Sequence, residues 1–368
     1  MIRIGILGAA DIAKRRFLPA LGNSKECEFI GVAAATDEER ACLKTLSGTG
    51  DNSSDSGRDD NSNNSRDNNG NADRLKKAAA LTEEFGGKVF ESYEDLINSD
   101  EIDAVYIPLP PSLHYYWGKK ALYAGKHVYM EKPFTTELAN TQELVNLAKV
   151  KGLALFENYG FTFNDQMKLI DALRGNDIGQ LRLIRGYFGF PKRPDNDFRH
   201  VKALGGGALL DCGGYTLKAA RFFLGDSMRI ISSNVQMLPH HDVDGWGTVT
   251  AVNDDGLTAQ LAFGMDNQYK CELEVWGSIG TIQAPRIYTP PAAFTPEISL
   301  TTKDGTSHFK ARPEDAFLHG IDKFAACVLN KESLKGGNER EAEYREIMLQ
   351  GRLVDEAMAM AGLKDGKP

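Results

Sequence analysis

Lys132 is the residue from which chemistry can be read most directly. It stands in Tyr129-Met130-Glu131-Lys132-Pro133-Phe134, after an apolar run at 126–130 that reads as a short buried strand following Gly125. A lysine at the carboxyl end of a parallel strand sits where an open α/β sheet presents its ligand-facing groups. Its ammonium can stabilise negative charge developing on a ketone oxygen. Tyr215, in Asp211-Cys212-Gly213-Gly214-Tyr215, is a candidate proton donor to the same oxygen, because a phenol with a pKa near ~10 is protonated at neutral pH. Each residue also has a plainer reading. Lys132 can be a surface ammonium, Tyr215 a core aromatic, and Asp211 a helix N-cap.

Reduction of a ketone by such a pair needs a hydride carrier, since the protein itself only aligns and stabilises. The N-terminus offers a place for one. A strand at 2–7 stops at Gly8-Ala9-Ala10-Asp11-Ile12-Ala13, and a helix follows at 14–21. Gly8-x-Ala10-x-x-Ala13 is a variant of the dinucleotide fingerprint: Gly8 for the tight turn, Ala10 for backbone approach to a pyrophosphate, Ala13 for helix–strand packing. A second strand at 29–35 ends in Thr36-Asp37. Thr36 could touch a ribose phosphate, and Asp37 reads as the cap of the next helix, so the choice between NAD(H) and NADP(H) stays open. After a strand at 104–107, Pro108-Leu109-Pro110-Pro111 makes a stiff loop for the nicotinamide half. His114 either lines that site or is structural. Glu131 and Asn158, at the ends of two further strands, complete the cofactor-side candidates.

The elements that must position these residues alternate. Helices at 112–124 and 137–151 separate strands at 104–107, 126–130 and 153–156, which predicts a doubly wound parallel sheet. One segment breaks the pattern. Residues 48–71 are Ser, Asn, Asp and Gly with almost nothing apolar, and read as a disordered surface insertion between helical stretches at 38–46 and 72–85. From Phe161 the period changes. A helix at 163–175 leads to strands at 181–188, 228–236, 248–251, 257–263, 270–276 and 280–283, which predicts a large, mainly antiparallel sheet. Helices at 314–329 and 339–361 close the chain. The expected organisation is a dinucleotide-binding Rossmann domain at 1–158 and an α+β substrate and oligomerisation domain at 159–368, with the C-terminal helices partly packing back.

The 368 residues suffice for two cores, and a net charge of −8 disfavours nucleic-acid and anionic-membrane partners. Cys27, Cys42, Cys212, Cys271 and Cys327 show no paired spacing, which fits reduced thiols and a cytoplasmic setting. The opening apolar run is too short for a signal peptide, and no run reaches transmembrane length. His240-His241-Asp242 with Asp244 has metal-ligand types, but adjacent histidines on a strand point to opposite faces and no second cluster supplies ligands, so no metal is expected.

With Gly8–Ala13, Glu131-Lys132-Pro133 and Asp211-Cys212-Gly213-Gly214-Tyr215 in this order, the chain resembles the glucose–fructose oxidoreductase/inositol dehydrogenase (Gfo/Idh/MocA) family over nearly its whole length. Ala10–Arg16, Gly205–Asp211, Phe263-Gly264-Met265 and Arg286–Pro291 resemble its branch of nucleotide-sugar 3-ketoreductases. The resemblance implies NADPH-dependent reduction of a dTDP-linked 3-keto-6-deoxyhexose. It implies Lys132 and Tyr215 as the catalytic pair, with Asp211 orienting the substrate or Lys132. It implies a homodimer or homotetramer. Arg199 is a candidate contact to a substrate phosphate or carboxylate, with a surface salt bridge as the alternative, and Arg286 and Tyr288 are candidate contacts to the substrate's diphosphate. NADP-preferring members carry Ser-Arg at the second strand's tip, where this chain has Ala35-Thr36, and Pro111 replaces their loop asparagine. Dehydrogenases of aldoses or trans-dihydrodiols share the Asp-x-Gly-x-Tyr motif and form the rival expectation, with a non-catalytic NAD(P)-binding regulator as a further one.

Overall fold

A computed structural model describes residues 1–39, 64–332 and 337–364. They form two compact units. The first comprises Met1–Glu131, Glu143–Glu157 and Ile321–Tyr344; the second comprises Lys132–Gln142, Asn158–Gly320 and the chain from Arg345 on.

The first unit is built on six parallel strands: β1 (Ile2–Leu7), β2 (Cys27–Ala33), β3 (Lys88–Phe90), β4 (Ala104–Ile107), β5 (His127–Met130) and β6 (Leu155–Glu157). Their order, β3-β2-β1-β4-β5-β6, is the doubly wound arrangement expected from the alternating pattern. It reverses direction between β1 and β4, and there the carboxyl ends of the strands open a crevice. The strands are apolar on both faces because helices cover both. Phe17 stacks on Tyr106 at 3.7 Å, and Tyr129 meets Phe17, Phe156 and Phe324 at 5.3, 4.8 and 5.4 Å. A π-helical turn (Ala13–Phe17) runs into the short helix α1 (Leu18–Leu21). Helix α2 (Asn64–Phe85) begins eight residues before the expected position 72, while residues 48–63 of the expected insertion lie outside the described residues. Helix α3 is Tyr93–Asn98, and α4 (His114–Tyr123) lies within the helix expected at 112–124.

The second unit carries eight strands in the order β14-β13-β12-β11-β7-β10-β9-β8: β7 (Leu181–Gly189), β8 (Arg229–Met237), β9 (Asp244–Val252), β10 (Thr258–Gly264), β11 (Lys270–Gly277), β12 (Gly280–Ala284), β13 (Glu297–Thr302) and β14 (Gly305–Lys310). All neighbours are antiparallel except β7 and β10. Alternation is strict in the middle strands: Ile184, Phe188, Leu261, Leu273 and Val275 point into the core, while Arg185, Gln260 and Glu274 line up on the other face. Helices α6 (Asp165–Asp177) and α7 (Gly214–Leu224) bury their apolar residues in that core. Helices α5 (Leu138–Lys151), α8 (Ala316–Val328) and α9 (Glu339–Met360) complete the fold.

Candidate active site

In the first unit, Gly8 ends β1 with φ +91°, a left-handed conformation that costs any other L-residue. A Cβ there would lie 3.0 Å from Leu109 Cδ2 and 3.0 Å from Tyr93 Oη. The turn is therefore closed on one side by the loop after β4 and on the other by α3. The Gly8 N–H donates to Ala33 O at 2.9 Å, tying the turn to β2. Ala9 and Ala10 are half-buried and Asp11 is exposed, so no bulky side chain obstructs backbone N–H groups at the helix start. This is a cradle for a pyrophosphate, and the residues fit a dinucleotide. The Pro108-Leu109 loop is held from beneath: the buried His114 donates from Nε2 to Leu109 O at 2.8 Å. Glu131 accepts from Tyr106 Oη at 2.7 Å, and Glu157 is buried at the end of β6; the next residue, Asn158, is also buried and belongs to the second unit.

The tip of β2 departs from expectation. Thr36, and not Asp37, is the cap: its hydroxyl accepts from the Glu39 N–H at 3.1 Å, and its own N–H donates to Glu39 Oε2 at 2.8 Å. This is a reciprocal capping box. Asp37 is left to pair with Arg74 of α2 at 2.8 Å.

In the second unit, four of the singled-out residues meet. Asp211 does not cap a helix. It lies in a π-helical turn (Leu209–Gly213) that leads into α7, and π-turns concentrate at functional sites because they re-aim side chains. The turn is set by its surroundings. Gly207 has φ +118°, and the Leu209 N–H donates to Asp244 Oδ2 at 2.7 Å. Burial pushes the Asp244 carboxyl up to about 6, against the backbone N–H groups of Leu209 and Ala208 that favour its charge.

The Lys132–Pro133 peptide is cis, and Lys132 Nζ donates to both Asp211 Oδ1 and Asp211 O at 2.8 Å. The other carboxylate oxygen, Oδ2, accepts from Arg199 Nε at 2.7 Å. Arg199 sits in a turn (Phe198–His200) capped by Asp197, whose carboxylate also accepts from Arg199 Nη1 at 3.2 Å. Its guanidinium lies over the Phe198 ring at 4.6 Å. Lys132 and Asp211 are each only 11% exposed in their side chains. Burial alone would discharge both, but Lys132 and Arg199 hold the Asp211 carboxyl well below the usual range. Burial likewise pulls the ammonium of Lys132 down, and Asp211 and Tyr215 outweigh it, leaving Lys132 more firmly protonated than a free lysine. Asp197 and Asp211 balance Lys132 and Arg199, so the cluster is locally neutral.

Tyr215 opens the first turn of α7 with its ring 4.9 Å beneath the Lys132 ammonium. Tyr159, Phe161, Phe188 and Tyr288 surround it at centroid distances of 5.2, 5.8, 5.0 and 6.0 Å. The phenol is thus held by an aromatic box and overlain by a fixed cation. Tyr288 is part of that box. It is 2% exposed and its hydroxyl donates to Glu272 O at 3.3 Å. Arg286 stands apart, sandwiched between Tyr269 and Phe294 at 5.3 and 5.5 Å. Sequence reasoning gave no role to Asp197, Tyr159, Phe161 or Phe188. The Asp197-x-Arg199 spacing was the one local signal among them.

Comparison with known proteins gives the chain's relatives. Residues 69–159 match the model of the oxidoreductase family with an NAD-binding Rossmann fold, and residues 167–283 match the Gfo/Idh/MocA C-terminal domain. A dTDP-3,4-didehydro-2,6-dideoxy-alpha-D-glucose 3-reductase from Actinomadura kijaniata is 34% identical over 356 residues, covering 96% of this chain and 94% of that protein. One of the same name from Saccharopolyspora spinosa is 35% identical, covering 89% and 87%. The crystal structure of a 3-ketoreductase from Actinomadura kijaniata in complex with NADP and TDP-benzene superposes with a TM-score of 0.81 at 33% identity, covering 96% of each chain.

Proposed function

The chain belongs to the Gfo/Idh/MocA oxidoreductase family, and on that premise we propose that it reduces the 3-keto group of a dTDP-linked keto-deoxysugar, with NADPH as the preferred cofactor. The observation that carries this is the Lys132–Asp211–Arg199 cluster laid over Tyr215. When bound, the reduced nicotinamide supplies the hydride to the ketone carbon. Tyr215 gives its hydroxyl proton to the ketone oxygen, so hydride and proton together complete the alcohol. The Lys132 ammonium stabilises the charge that passes from the alkoxide to the phenolate. Asp211 anchors that ammonium, and Arg199 keeps Asp211 charged. The names of the two 3-reductases, and the TDP ligand of the solved relative, support a nucleotide-linked substrate.

The test is NADPH consumption by the purified protein on dTDP-3,4-didehydro-2,6-dideoxyglucose and, in parallel, on free aldoses and dihydrodiols. Turnover of the nucleotide sugar alone is expected. Turnover confined to free sugars or diols would replace this reading with the dehydrogenase alternative.

Two further properties follow the same reading. The outer face of β7, β10 and β11 presents Leu183, Arg185, Tyr187, Gln260, Glu274 and Trp276, the last 46% exposed. This is the surface on which copies of the chain pair, and light scattering showing a monomer at micromolar concentration would reject it. Cys27, Cys212, Cys271 and Cys327 are buried free thiols, which suits the cytoplasm. Among the described residues no helix is long and apolar enough to cross a membrane.

A further inference from the structure

The histidines at 240–241 have no second ligand cluster beside them in sequence; the structure brings His241, but not His240, against residues of another loop. Asp195 and His200, in the connection that follows β7, come together with His241 of the β8–β9 hairpin, with one ligand atom from each lying within 4.8 Å of the others. The two imidazole rings are 4.8 Å apart at their centroids. His200 is 3% exposed, yet among the described residues neither of its ring nitrogens has a hydrogen-bond partner. A buried imidazole with both nitrogens unsatisfied costs the desolvation of each, and buried polar groups of this kind are normally paired. The carboxylate of Asp195, which ion-pairs with Lys192 at 2.8 Å, brings the negative charge that a divalent cation needs.

We propose that Asp195, His200 and His241 bind a divalent metal of the zinc type, with water in the remaining position. Two imidazoles and one carboxylate are the donor set borderline divalent ions take, at about 2.0–2.2 Å per ligand in tetrahedral geometry. Ligation by Asp195 would exchange its exposed ion pair with Lys192 for the metal. The metal would tie two segments that also meet through the His200–His241 ring contact and a long hydrogen bond from Lys202 N–H to Asp242 Oδ1 at 3.5 Å. The neighbour of His200 is Arg199, which holds Asp211. A metal at this place therefore staples the loop that carries a positioning residue of the reactive cluster. It stands independently of which carbonyl the protein reduces.

The experiment is Co²⁺ titration of the chelator-treated full-length protein, read by visible d–d absorption, alongside the thermal midpoint with Zn²⁺ and then with EDTA. The expected result is one Co²⁺ per chain with intense tetrahedral bands, and a midpoint that Zn²⁺ raises and EDTA lowers. His241→Ala, on the hairpin, removes a ligand without opening the core and abolishes both signals. His200→Gln does the same if it folds, and Asp195→Asn weakens binding. Absence of the bands and of the midpoint shift in the wild-type protein overturns the proposal. So does retention of either signal at full strength in His241→Ala.

Discussion

Lys132 Nζ lies 2.8 Å from the Asp211 carboxylate and 2.8 Å from the same residue's carbonyl oxygen. One ammonium thus fixes the side chain and the main chain of the π-turn that launches Tyr215. Charge and geometry are set by one contact, so substitutions here should separate into those that remove the proton donor and those that unseat it.

Tyr215→Phe keeps the ring in its aromatic box and removes only the hydroxyl. We expect kcat to fall by about 10²–10⁴, with NADPH affinity and thermal midpoint close to wild type. Wild-type turnover in steady-state assays of this variant would remove Tyr215 as the donor. Lys132→Met should lose activity to a similar extent and also lose stability. Stripping one partner from a buried ion pair costs about 3–5 kcal/mol, and the surviving Arg199 contact puts the loss at the lower end.

Arg199→Ala removes one of the two cations that keep Asp211 ionised. With its pKa held well below the usual range, Asp211 contributes stability that is present above its ordinary value near 3.8 and is lost only as pH falls towards the depressed native value. In the variant the carboxyl protonates at higher pH. The acid limb of thermal midpoint against pH should move up, and kcat should drop more than KM rises. A variant whose acid limb is unchanged would show that Arg199 does not act through Asp211.

Asp244 runs the other way. Its native carboxyl, raised to about 6, binds a proton more tightly than the unfolded chain does. Its contribution is complete below about pH 4 and disappears as pH rises through 6, a difference of up to about 3 kcal/mol. Urea unfolding of wild type and Asp244→Asn at pH 5 and pH 7.5 isolates it: wild type should lose more stability over that interval than the variant.

Arg74 is the cation beside the β2 tip, paired with Asp37 and 24% exposed in its side chain. A ribose 2′-phosphate is met by an arginine near this strand end in NADP-binding sheets. Arg74→Ala should weaken NADPH binding by about tenfold, ~1.4 kcal/mol, and leave NADH unchanged, as read from the fluorescence of the reduced cofactors. Equal loss for both would make Arg74 a structural residue.

Local signals made the parallel sheet, the Gly8 turn and the Glu131-Lys132-Pro133 corner legible, because continuous apolar strands, a glycine with a required left-handed turn and a strand-ending lysine are all written in neighbouring residues. The β13–β14 hairpin was not. Its residues, Glu-Ile-Ser-Leu-Thr-Thr and Gly-Thr-Ser-His-Phe-Lys, are mostly polar, and only Ile298 and Leu300 are buried. Nor could sequence show what Arg199 holds. Asp211 is twelve residues away, in a π-turn at the start of α7, and the two meet only through the folding of the connection between them. The same applies to His200 and His241, which tertiary folding alone makes neighbours.

Arg199, Asp211 and Tyr215 all belong to the single connection between β7 and β8, and only Lys132 comes from elsewhere in the chain. The eight strands below need no change of register for that connection to be rewritten. A descendant could therefore acquire a different sugar preference by swapping one cassette of about forty residues, while the sheet beneath it is inherited unaltered.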